Sequence, residues 1–273
     1  MGEPAPVECT VELASLSDVG TERGNNEDFT GHSIESPSSV VIGVADGVSS
    51  GQAGEVASQM AIEVTLRAFR EDSATRTIGK RLYRAVQQAN IEVHDKALAV
   101  PELRGMATTL TAAAVDAGEL TIVHVGDSRL YLIREGTITQ LTKDHTAAAE
   151  RVRYGLLSRE KARTHADRSV LTRSLGRELI VSRDLITRGL AQGDVLLLCT
   201  DGLYNVLDDA EILRLTEGRA PAEACRYLVE AANDRGTPDN LTAAIVRVTG
   251  PTPPREEPKG LINRLLSSIT PSR

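Results

Sequence analysis

The stretch Leu110–Leu141, LTAAAVDAGELTIVHVGDSRLYLIREGTITQL, decides the fold class. It divides into four apolar runs, 110–115, 119–125, 129–133 and 137–141, separated by DAG, GDS and REG. Short runs rich in Val, Ile, Leu and Thr between Gly-containing turns predict strands. Turns this brief suit antiparallel hairpins, so a four-stranded meander is expected.

Moving outward, Ser38–Ala45 (SSVVIGVA) is a continuous apolar, β-branched run that ends on Asp46-Gly47. It reads as a strand buried on both faces that delivers a carboxylate at its tip. The pattern recurs where Val195–Thr200 (VLLLCT) runs into Asp201-Gly202, and where Asp239-Asn240 opens the run Leu241–Val248. Helical spacing predicts helices over Gly54–Phe69, over a segment with Ile78, Leu82, Val86, Ala89 and Val93 on one face, and over Pro221–Asn233. Hairpin-linked strands with helices in blocks imply an α+β sandwich and exclude a doubly wound parallel sheet. With 273 residues, one large domain with appendages fits.

Composition narrows the function. A net charge of -7 and only two Phe, five Tyr and no Trp disfavour a nucleic-acid binder, which needs clustered cations and stacking platforms. Cys9, Cys199 and Cys225 are odd in number and contain no CxxC pair, so neither a disulfide scaffold nor a zinc cluster is expected, and a reducing cytoplasm is the default. A cysteine-based phosphatase needs Arg six residues after its Cys; Ser15, Asn205 and Ala231 stand there instead. No signal peptide, myristoylation pattern or membrane-length apolar run is present.

Asp46, Asp127 (in GDSR), Asp201 and Asp239 all stand at ends of apolar strands and are candidates for one cluster. Singly, each is more often a turn former. Together, carboxylates brought close raise one another's pKa unless a cation neutralises them. Oxygen-only donors point to hard ions such as Mg2+ or Mn2+, and two of them can hold and activate a water for in-line attack on phosphorus. Arg23, in RGNNED, suits bidentate recognition of a phosphate, although a solvated charged turn is the plainer reading.

In order along the chain, SDVGTERGNNED (17–28), VADGV (44–48), GEVAS (54–58), ATTL (107–110), VGDSRLY (125–131), LTKDH (141–145), CTDGL (199–203) and TPDNLT (237–242) resemble the motifs of the metal-dependent type 2C protein serine/threonine phosphatases. The resemblance implies an αββα sandwich of two antiparallel sheets flanked by helices, with the metal site at one end between them. It implies hydrolysis of phosphoserine and phosphothreonine in proteins by a metal-bridging water, with two Mn2+ or Mg2+ ions and a weaker third. Asp46 then matches the bridging ligand and Gly47 a backbone-carbonyl ligand; Asp201 and Asp239 match ligands of the second ion. Asp127 with Asp201 matches the third-ion site. Glu27 and Asp28 match holders of metal-bound waters, and Arg23 the phosphate clamp. His145 is expected to order a turn and not to do chemistry. The expected partners are phosphorylated proteins, a Ser/Thr kinase or its substrates.

Val48 stands where many eukaryotic members carry a His proposed to protonate the leaving oxygen, which makes this a bacterial-type chain with a metal-bound water expected as general acid. Ala107, in place of the usual Gly, and Pro238 are smaller departures. The expected organisation is an N-terminal segment 1–12, a catalytic domain 13–249, and a Pro-rich linker with amphipathic tail over 250–273. Residues 144–177, with eight Lys or Arg against four Asp or Glu, form a flap that either selects acidic phosphoproteins or is a solvated loop. The tail either docks on a partner or packs on the domain. The competing functional readings are a catalytically weak regulator that binds phosphoproteins, which would have lost a ligand, and another dinuclear hydrolase.

Overall fold

The computed structural model describes residues 10–48, 52–75 and 77–250. Expectations for residues 1–9, Cys9 among them, and for the tail 251–273 lie outside these. The chain opens with β1 (Val11–Asp18), β2 (Asp28–Ser36) and β3 (Ser39–Asp46), then α1 (Gln52–Glu71) and α2 (Ile78–Ala99). β4 (Leu110–Asp116), β5 (Glu119–Val125), β6 (Arg129–Arg134) and β7 (Thr137–Gln140) follow, with α3 (Ala147–Arg153) and α4 (Arg159–Arg163) in the flap. The remainder is β8 (Asp184–Gly189), β9 (Val195–Cys199), α5 (Asp201–Tyr204), α6 (Asp209–Thr216), α7 (Pro221–Asp234) and β10 (Leu241–Val248).

Two five-stranded antiparallel sheets result, ordered β1-β10-β9-β6-β7 and β2-β3-β4-β5-β8. Side chains alternate across each strand, so a central strand apolar at every position feeds two layers at once. In β3, Val40, Ile42 and Val44 enter the layer between the sheets, while Val41 and Ala45 face the helices. β9 does likewise, with Leu196 and Leu198 inward and Val195, Leu197 and Cys199 toward α7. α1 and α2 cover one sheet; α6 and α7 cover the other. On α2 the buried face is Leu82, Ala85, Val86, Ala89 and Val93, at the three- and four-residue spacing that a covering helix requires. Three apolar layers thus separate four structural ones, each fully buried Val, Leu or Ile contributing about 1.5–3 kcal/mol. This is the expected α+β, αββα sandwich.

One expectation is corrected. The four runs 110–141 do not form one meander: β4–β5 and β6–β7 are hairpins, but GDS carries the chain from one sheet to the other. β5 already has β4 and β8 on its two edges, so β6 must pair elsewhere and joins β9. Gly126 makes the turn at φ 105, where a Cβ would lie 2.6 Å from the Thr109 side chain. Three further strands carry no apolar run and do not stand out in the sequence. β1, β2 and β8 are edge strands with partly exposed, polar faces.

Candidate active site

Asp46 ends β3, and Asp28 begins β2 directly opposite it in the ladder. β9 ends into Thr200-Asp201, β10 starts just after Asp239-Asn240, and the Gly126–Ser128 turn leaves β5. All of these reach the same rim of the sandwich. There, Arg23, Glu27, Asp46, Gly47, Asp127, Asp201 and Asp239 line one cavity of about 290 Å3, together with Val48 and Asn240. Asp28 lies behind it, buried, with Oδ2 accepting from Thr200 Oγ1 at 2.6 Å and Thr242 Oγ1 at 2.7 Å. Every acid named from the sequence therefore lies at this site. They ring the cavity and do not converge on a point: among the described residues no three His, Cys, Asp or Glu side chains stand close enough to enclose an ion.

The supporting contacts fix backbone as much as side chain. The Asp46 carbonyl accepts from Thr109 N at 2.9 Å and Thr108 Oγ1 at 2.8 Å, and its own N–H donates to Thr109 Oγ1. Val48 N donates to Ala107 O at 3.0 Å, so Ala107 leaves this connection in place. Gly47 admits no side chain, because a Cβ would lie 2.3 Å from Gly54 O and 2.7 Å from Gly54 Cα. Gly47→Ala must displace the start of α1 or the tip of β3, so a loss of about 1–3 kcal/mol in urea unfolding is expected. A shift of that tip should also lower turnover by about 10²-fold.

Electrostatics show an uncompensated negative site. Burial pushes the Asp28 carboxyl up to about 7, with Thr200 and Thr242 pulling it back and Asp201 and Asp239 adding to the rise. Burial and then Asp239 push Asp201 up to about 6. Asp46 and Asp127 are held well above the usual carboxylate range, by burial first and by neighbouring carboxylates second. The cavity's cation, Arg23, is half exposed and tied to Asp239 Oδ2 at 2.9 Å. Asp28 Oδ1 and Asp201 Oδ1 are buried with no partner. Buried polar atoms are nearly always satisfied, and repelling carboxylates with bare oxygens fit a hard divalent cation.

Several residues at the site were not singled out from the sequence. Asn240 clamps the loop that carries Arg23 and Glu27: Oδ1 accepts from Glu27 N at 2.8 Å, while Nδ2 donates to the carbonyls of Val19 and Asn25. Arg129 makes a bidentate bond to Asp144 and lies over the Tyr204 ring, whose hydroxyl donates to Asp127 O at 3.0 Å. Asn240, Thr200, Thr242 and Arg129 all fall inside the quoted motifs, which was the available signal. His145 takes its expected structural place: Nδ1 accepts from Gly126 N at 3.1 Å, and Nε2 lies 3.1 Å from Arg173 Nη1 and 3.4 Å from Asp184.

The protein phosphatase 2C family profile matches residues 21–245. The chain belongs to the protein phosphatase 2C family. The serine/threonine phosphatase stp of Listeria innocua is 36% identical over 234 residues, covering 84% of this chain and 93% of that protein. PstP of Mycobacterium tuberculosis is 37% identical over 247 residues, 89% of this chain but 46% of PstP. A crystal structure of the PstP catalytic domain in complex with two manganese ions superposes with a TM-score of 0.78 at 35% identity, covering 88% of this chain and 99% of that one. Within this 2C family fold, no helix among the described residues is long and apolar enough to cross a membrane.

Proposed function

We propose that this chain hydrolyses phosphoserine and phosphothreonine in proteins at the carboxylate-ringed cavity. It is a metal-dependent protein serine/threonine phosphatase that acts on phosphorylated proteins. The observation that carries the site assignment is the set of raised, partly unsatisfied carboxylates brought by both sheets to one rim. Asp46, the Gly47 carbonyl, Asp201 and Asp239 would hold two Mn2+ or Mg2+ ions, with Asp127 and Asp201 able to take a weaker third. When bound, such ions supply Lewis acidity and lower the pKa of water toward neutrality.

The protein's own groups supply position. Arg23 leaves one Asp239 oxygen to meet a phosphate, its planar guanidinium presenting paired donors. Glu27 and Asp28 would hold the waters of the bound ions, Asp28 through its unpartnered Oδ1, since both threonine hydroxyls donate to Oδ2. No histidine among the described residues lines the cavity, and Val48 occupies the place of a histidine donor. His145 is lowered by burial and then by Arg173, with its ring nitrogens engaged by Gly126 on one side and by Arg173 and Asp184 on the other. The pH profile of kcat/KM should therefore contain no limb that vanishes in His145→Gln; such a limb would give the histidine a chemical role.

The first experiment is hydrolysis of a phosphothreonine peptide with Mn2+, with chelator, and by Asp239→Ala. Metal-dependent turnover, lost in the chelated and mutant samples, is expected. A wild-type protein inert with Mn2+ across peptides would favour the regulatory binding reading, against which stands the presence of every acid at the cavity. The reading places the protein in the cytoplasm opposing a Ser/Thr kinase or acting on its substrates, supported by its cysteine usage and by the relatives' class. A partner-docking role for Leu261–Ile269 rests on sequence alone, outside the described residues.

A further inference from the structure

We propose that the groove beneath the flap is a subsite for acidic side chains flanking the phosphorylated residue, an inference that rests on the phosphatase reading of the adjoining cavity. The groove has a volume of about 920 Å3 and shares Asp127, Ser169 and Asp201 with the carboxylate cavity. One extended peptide can therefore lie across both.

The groove's flap wall is basic by construction. In α4, Arg159 and Arg163 are four residues apart and so share one face, which lines the groove with Ala162; Glu160 and Lys161 do not line it. Lys143 and Arg168 complete that wall. All four cations are exposed, and among the described residues none is paired with a carboxylate. Most of the acids around them are already engaged. Asp144 is held by Arg129, Asp208 caps α6 by accepting from Glu211 N at 2.9 Å, and Glu211 is bound by Arg235. Apart from Asp127 and Asp201, the proposed ion ligands, the lining holds only Asp208 and Asp209 without a cationic partner, against the four cations.

These cations stand on a braced frame and not on a loose loop. Thr146 caps α3 and Ser158 caps α4. His145 N donates to Gly126 O and Thr172 N to His145 O, both at 2.8 Å, and Leu175 exchanges both backbone bonds with Thr108. Arg151 joins Asp167 at 2.7 Å, linking α3 to the segment beyond α4. A cationic wall set in place beside the reaction site gains affinity for acidic segments without the ordering cost of a floating loop.

The test compares matched phosphothreonine peptides with acidic and with neutral flanks. Wild type with Mn2+ should favour the acidic peptide about tenfold in kcat/KM, mostly through KM, the summed effect of several exposed pairs. The preference should shrink as salt rises. In the double variant R159E/R163E it should disappear or reverse, while p-nitrophenyl phosphate hydrolysis stays within about twofold of wild type, since neither arginine lines the carboxylate cavity. Fluorescence anisotropy of a labelled, unphosphorylated acidic peptide should show the same loss of binding in the variant. Equal kcat/KM for the two peptides, or a preference untouched by R159E/R163E, would overturn the proposal. If p-nitrophenyl phosphate were not hydrolysed at all, the catalytic reading would fall, and the anisotropy comparison would still decide what the groove binds.

Discussion

Asp46→Asn is expected to reduce turnover on a phosphopeptide by on the order of 10³-fold, equivalent to roughly 4 kcal/mol of transition-state stabilisation, while making the metal-free protein more stable. The two effects have one cause. Asp46 is held above the usual carboxylate range by burial, then by Asp28, Asp201, Asp127 and Asp239. At neutral pH an ionised Asp46 works against the metal-free fold, and its charge is useful only when cations share the cavity. An amide of the same size removes the repulsion and keeps the backbone bonds to Thr108 and Thr109. In chelator at pH 7.5 or so, Tm should rise by a few degrees, on a scale where about 1 kcal/mol moves a domain of this size by 2–4 °C. A variant active to within tenfold of wild type would remove Asp46 from the metal-binding set. A chelated variant with a lower Tm would mean that the carboxylate has a structural role.

The second large effect is the pH dependence of stability without metal. Asp28 at about 7 and Asp201 at about 6 lie above their unfolded values, so the folded protein holds these protons more tightly than the unfolded chain. Their contribution is complete below the unfolded carboxylate pKa of roughly 4 and is lost as pH rises through about 6 and 7. Asp184 acts in the opposite sense: although burial raises it, His145 and Arg173 outweigh that and hold it below the usual range, so its contribution is lost only at lower pH. In chelator, Tm should fall steadily from pH 5 to pH 8. Mn2+ should flatten or invert that slope, since ions bind the deprotonated acids, and a hundredfold excess over Kd adds about 2.7 kcal/mol. A chelated protein whose Tm climbs across this window would contradict the uncompensated cluster.

What could be read before the structure, and what could not, follows burial. β3, β9 and β10 are sandwiched on both faces, so nearly every side chain had to be apolar and the runs stood out. β1 (VELASLSD), β2 (DFTGHSIES) and β8 (DLITRG) sit at sheet edges, where one face meets water and the period-two signal weakens. The crossing at Gly126 was hidden for another reason. GDS is a sound hairpin turn locally, and only the partners already on β5 forbid that pairing. The acids could be named because their place at strand tips and the ordered motifs both marked them. Thr200, Thr242 and Asn240 lie in the same motifs, but their roles were not legible, since a hydroxyl or amide acquires its meaning from an atom more than 150 residues away, Asp28 Oδ2 or Glu27 N.

The hydroxyls of Thr200 and Thr242 belong to one sheet, and the carboxylate they grip belongs to the other. The same division runs through the cavity, with Asp46 from one half and Asp201 and Asp239 from the other. On the proposed ligand set, an ion held there is a clasp across the open end of two half-proteins, each of which already has its own helix-covered layer. Loading would then do more than enable hydrolysis: it would tie the halves together at the rim, beyond the apolar layer they already share. The sharpness of the unfolding transition, and not only its midpoint, becomes a property of the bound metal.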